Sequence, residues 1–206
     1  MHRLAGIAIL IVGCLFFTNP TRAQLPYPGV AAPATKLESL ETNVSVVILK
    51  GATALGSVPG KAGVVAVKCR QTTDTSTGRK EQGIAIEIAQ KGQPTDTMLV
   101  DYDEIVRLLS AIEYLSRLDP SVTPLAAFNA AYTTQGGLRV AALGTRRAGA
   151  VQFAIRDVRA AMAPVVLSPE GMASFSGLIN QAKATLDSLG GGAAATPSAS
   201  FTMRAR

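Results

Sequence analysis

The chain has 206 residues, with 20 Lys and Arg against 14 Asp and Glu, one histidine and two cysteines. An apolar share of 48% excludes a wholly disordered, collagen-like or disulfide-stapled protein. Setting aside Arg3, Arg22, Arg204 and Arg206 at the two ends leaves 16 basic against 14 acidic residues. So near-neutral a body lacks the charge of a dedicated nucleic-acid binder.

In chain order, His2 and Arg3 precede Leu4–Phe17, an uncharged apolar run. It is short for a bilayer crossing and suits the apolar core of a secretory signal. Asn19-Pro20 breaks the run and Ala23 supplies a small residue for cleavage, so residues 1–23 read as a signal peptide. The alternative is lipidation, since Ile11-Val12-Gly13-Cys14 has the form of a lipobox that would anchor the chain through Cys14. Residues 24–41, with Pro26, Pro28 and Pro33, read as a flexible tether, and residues 190–206 as a disordered tail opened by Gly190-Gly191-Gly192. A single secreted or periplasmic domain is expected over residues 42–189, with no further segment apolar enough to span a membrane.

Period-2 patterns predict strands over residues 43–50, 63–70, 83–91 and 97–100. Gly51 to Gly56 read as turns, lacking the Lys-Ser/Thr of a phosphate loop, and Gln71 to Gln82 as a mobile, Thr/Ser-rich loop. Asp101-Tyr102-Asp103-Glu104 has the capping-box form, and Ile105, Leu108, Leu109, Ile112 and Leu115 make one helical stripe that Asp119-Pro120 ends. The plan then recurs. Strands are predicted at 126–133, 137–144, 149–157 and 163–167, and Ser168-Pro169-Glu170 opens a helix striped by Met172, Phe175, Ile179, Ala182 and Leu186.

At an offset of 67, Ile84, Ile86 and Ile88 fall on Val151, Phe153 and Ile155, Val100 on Leu167, and Ile105, Leu108 and Ile112 on Met172, Phe175 and Ile179. The expected architecture is therefore α+β: two tandem units of four antiparallel strands plus one C-terminal helix, over residues 42–119 and 124–189.

Tyr102 to Ile105, Tyr114, Phe128, Ala130, Tyr132, Thr134 and Gly136 to Leu138 together resemble the motif of an uncharacterised family of small proteins, with Thr134 one position off the pattern. That resemblance covers about half the folded region and implies no activity. The tandem β4α plan, with Leu167-Ser168-Pro169-Glu170 at a strand-to-helix junction, is similar to the Whirly proteins and to single-stranded-DNA-binding transcriptional coactivators. It implies fold alone.

Candidate chemistry is sparse. His2 leaves with the signal, which removes the usual general base and metal ligand, so no catalytic residue, metal or cofactor is expected. Cys69 sits between Lys68 and Arg70, but strand alternation puts both cations on the opposite face, so it reads as a buried structural thiol. Asp101, Asp103 and Glu104 read as helix-capping acids, and Phe128 with Tyr132 as core. Asn43-Val44-Ser45 matches a glycosylation acceptor.

Arg139, Arg146, Arg147, Arg156 and Arg159 form a basic surface if they share a face. The reading that results is an exported, non-enzymatic binding domain for a protein partner, envelope component or small apolar ligand. Its rival is a single-stranded nucleic-acid-binding module.

Overall fold

Alternating apolar residues build two antiparallel sheets, as the periodicity predicts. In a computed structural model describing residues 34–147 and 149–190, β1 (Ile48–Gly60), β2 (Gly63–Asp74), β3 (Lys80–Ala89) and β4 (Asp96–Asp101) pair in chain order. A 3-10 turn at Tyr102–Glu104 leads into α2 (Ile105–Ser116). The second sheet, β5 (Ala127–Thr133), β6 (Leu138–Thr145), β7 (Ala150–Asp157) and β8 (Val165–Leu167), has the same order and is followed by α3 (Pro169–Ser188). The fold is thus α+β with two tandem four-stranded units, each followed by a helix. The signal segment, Cys14 and the tail beyond residue 190 lie outside the described residues.

Three expectations change. The segment 24–41 does not read as a tether throughout, because Lys36–Glu41 forms a helix, α1, closed by a capping box between Thr35 and Glu38. The first strand lies later than predicted: it begins at Ile48, leaving Val44 and Val47 exposed ahead of it, and it takes in Gly51 to Gly56, paired with β2 from Gln71 to Val67 with the register shifting between Ala54 and Gly56. Small residues without alternation are tolerated there because β1 is an edge strand whose order comes from backbone bonds to β2. The expected Gln71–Gln82 loop shrinks to a turn, since β-favouring threonines carry β2 on to Asp74 and Thr72 is fully buried.

The repeat keeps its faces but not its constant offset. Ile84 pairs with Val100, sixteen residues on, whereas Phe153 pairs with Leu167, fourteen on. Ile84 therefore corresponds to Phe153 rather than Val151. A two-residue slip preserves which face is apolar, and this is why the pattern survives it.

The helices bind the two units into one core. α3 lies across β1, β2 and β3 and also reaches β7 and β8, while α2 rests on β5, β6 and α3. The helix of each unit thus covers strands of the other. All five stripe residues of α3 are fully buried, and they join both inner sheet faces in a single cluster. The hairpin tips are exchanged as well. Lys61, between β1 and β2, trades backbone hydrogen bonds with Val166 of β8 (2.8 and 3.2 Å). Gly136, between β5 and β6, lies against the carbonyl of Leu99 in β4, where a Cβ would stand 1.8 Å from the oxygen.

Two predictions follow from this exchange. Residues 34–119 and 120–190 made separately are expected to show no cooperative urea transition, and mixing them is expected to restore one in far-UV circular dichroism. Gly136→Ala forces backbone apart where only glycine fits, and is expected to cost about 2 kcal/mol or more in urea denaturation.

Candidate functional site

Each sheet turns its second face away from the shared core, and the two outer faces differ. On the first sheet, β3 and β4 present the paired residues Ala85 and Leu99, which are buried with Leu37 of α1 in a small cluster of their own. Gly83 leaves room for Leu37, since a Cβ there would stand 2.8 Å from its Cδ1. Glu41, at the end of α1, accepts hydrogen bonds from Lys50, Arg70 and Thr72 at 2.6, 2.9 and 3.0 Å. Beside it Lys68 pairs with Glu87 at 2.7 Å. A trough of about 360 Å³ between Glu38, Glu41, Lys68, Arg70 and Glu87 is thus lined with charges that already have partners.

On the second sheet the corresponding pair is Ala154 and Val166; no helix is described over it, and Ala154 is nonetheless buried and Val166 half-buried. Across the strands run Ala131, Ala141, Ala154 and Val166, and next to them Thr133, Arg139 and Arg156. Arg139 and Arg156 stand directly opposite each other. Like charges so placed repel, yet among the described residues neither has a side-chain partner. Between residues 120 and 169 the sole acid is Asp157, which is buried and occupied with Arg159.

Arg146 and Arg147 are exposed in the turn at the far end of β6 and β7. Arg159 leaves the group: it turns back to Asp157 and to Glu38 of α1, 2.8 Å away. Beside the face lies an open trough of about 660 Å³ lined by Lys61, Gln152, Val166 and Ser168 among others.

The remaining candidates are structural. Cys69 is buried on the core face beside the carbonyl of Ala182, and burial pushes its thiol up. Phe128 and Tyr132 pack against the core, and the Tyr132 hydroxyl donates to Glu104 at 3.3 Å.

Asp101 and Glu104 do not cap α2. Asp101 reaches across 65 residues of chain to accept from the backbone amides of Lys36 and Leu37 at 2.7 and 3.1 Å, anchoring α1. Burial pushes its carboxyl up, against the pull of those two amides. Glu104 accepts from the Gln135 amide at 3.1 Å. Asp96 is also pushed up, by burial and then by Asp157, and one of its oxygens has no partner.

Sequence reasoning missed α1, although Thr35 and Glu38 carry the capping-box spacing ahead of Leu37 and Leu40. Among the described residues no cluster of metal-ligating side chains occurs and no helix is long and apolar enough to cross a membrane.

Comparison with protein-family models, curated proteins and solved structures returns no match.

Two outcomes are expected at α1. Asp101→Ala leaves two helix amides without their acceptor and should lower stability by about 1–3 kcal/mol, with faster amide exchange at Lys36 and Leu37. Glu41 responds to pH. Burial pushes it up, but Lys50, Arg70 and Thr72 hold it below the ordinary carboxylate value on balance. Its contribution is therefore present above the ordinary value and lost as pH falls through the depressed one. Glu41→Gln should flatten that part of the acid dependence of α1 exchange.

Proposed function

We propose that this chain is a non-enzymatic binding domain, acting outside the cytoplasm, that meets an acidic partner through the outer face of β5–β8. The observation that carries the reading is the opposed pair Arg139 and Arg156, without a counter-charge among the described residues. It borders a strip of small apolar residues, Ala141 and Ala154 among them, that no described helix crosses. Arg146 and Arg147 extend the positive potential along the strands. On the first sheet Lys68, Arg70 and Glu87 are neutralised within the chain; on the second an outside partner supplies the neutralisation. A partner of that kind gains charge-assisted hydrogen bonds and relieves the arginine repulsion.

The test compares the protein with an Arg139→Glu/Arg156→Glu variant for binding to acidic peptides and to a single-stranded oligonucleotide, by fluorescence anisotropy at two salt concentrations. Binding that weakens with salt and falls at least about tenfold in the variant is expected. Retention of all binding by the variant removes the face from the reading. Tight, length-dependent oligonucleotide binding with no response to acidic peptides favours the nucleic-acid module instead.

A further inference from the structure

β1 runs for 13 residues at the end of its sheet, and among the described residues only β2 pairs with it. The Thr75 amide donates to the Val47 carbonyl at 3.2 Å, and opposed residues that exchange hydrogen bonds recur at every second pair. Val47, Leu49, Gly51 and Thr53 therefore turn their backbone groups to β2. Ile48, Lys50, Ala52 and Ala54 turn theirs to the open edge.

The end of β1 toward Gly60 is shielded. Gly60 lies against Val165 and Leu167 of β8, and Gly56 against Leu178 of α3. The other end is bare, with Leu49 to Ala54 all exposed. Proteins guard such edges with charge, proline or a bulge. Here the bulge comes after Ala54, the proline is Pro59, and no charged residue occurs between Lys50 and Lys61. Val44, Val47 and Leu49, at the bare end, are 83%, 71% and 64% exposed, the first two being the most exposed large apolar side chains among the described residues.

We infer that two copies of the chain join antiparallel along Ile48–Ala54, about a two-fold axis at Gly51, so that their four-stranded sheets become continuous. The segment is complementary to itself in that register. Lys50 falls opposite Ala52 of the second copy, Leu49 opposite Thr53 and Ile48 opposite Ala54, so no like charges stand directly opposed. Each outward amide finds a carbonyl, as in strand addition generally. Glu41 already holds Lys50 at 2.6 Å, which limits repulsion between the two lysines across the seam. The seam is narrow, one strand from each copy, so a dissociation constant of about 1–100 μM is expected. The inference is independent of the arginine face, which belongs to the other sheet.

Sedimentation velocity across that concentration range is expected to show a monomer–dimer equilibrium. Gly51→Lys and Gly51→Glu each put like charges on the axis, and each alone is expected to weaken the dimer at least about tenfold. Neither crowds the fold, since a Cβ at Gly51 meets only the Gln71 carbonyl, at 3.9 Å. Mixed in equal amounts, the two variants are expected to recover a dimer, because opposite charges then face each other. Amide exchange tests the unaltered protein. Protection at Ile48, Lys50, Ala52 and Ala54 is expected to rise with concentration, while Leu49, Gly51 and Thr53 are protected throughout.

A monomer at every concentration overturns the inference. So does a dimer that either variant leaves unchanged, or one whose formation leaves the four outward amides unprotected. Failure of the mixed variants to recover a dimer overturns the Gly51 register. Protection of the four amides in the monomer overturns the inference too, because another part of the same chain then covers the edge. Mass that climbs past the dimer overturns the two-fold and points to β1 meeting the other end strand, β5, of a neighbour.

Discussion

The exchange of helices between the two units is the constraint on which the rest depends. A four-stranded antiparallel sheet with one apolar face cannot leave that face in water, and burying one large aliphatic or aromatic side chain is worth about 1.5–3 kcal/mol. Here the helix that follows each sheet in the chain covers strands of the other. Phe175, Ile179 and Ala182 of α3 complete a core begun by residues more than a hundred positions earlier. Once the helices are committed in this way, the hairpin tips must pass the neighbouring sheet's last strand. The close approaches at Gly136 and Gly60 are the geometric consequence.

That commitment also decides which faces are left over. With both inner faces and both long helices spent on one core, each sheet retains an outer face with no long helix to cover it. The chain covers one of them with the short α1, held by a carboxylate at the end of β4 and by a capping box of its own. A six-residue helix has little stability alone, so its order is borrowed from Asp101, Glu41 and the Ala85–Leu99 floor. The outer face of the second sheet receives no such element among the described residues, and its arginines stay unneutralised. Function is read from that asymmetry between two otherwise similar units.

The acids illustrate how position and role separate. Asp101 and Glu104 carry the capping-box spacing, and local reasoning assigns them to the helix they precede. Both instead satisfy backbone amides far along the chain, at Lys36 and Leu37 and at Gln135. A buried carboxylate must find donors, and the nearest unsatisfied ones in space belong to other segments. The motif was legible at those residues while its partner was not. At Thr35 and Glu38 the reverse holds: the same spacing does form a capping box, where the neighbouring prolines suggested a tether.

Sequence alone determined the α+β class, the count and order of strands, the duplication and the buried stripes, down to each of Met172, Phe175, Ile179, Ala182 and Leu186. These follow from side-chain period, which is a local property that a two-residue slip between the repeats does not erase. It also placed Arg139 and Arg156 among the candidate basic residues. Only tertiary structure decided that those two face each other across β6 and β7 while Arg159 turns to Glu38, that α1 is a helix, and that α2 and α3 cross to each other's sheets. Each of those depends on strand register or on contacts between distant segments. Period carries no information about either, because the same apolar stripe buries equally well against its own sheet or its neighbour's.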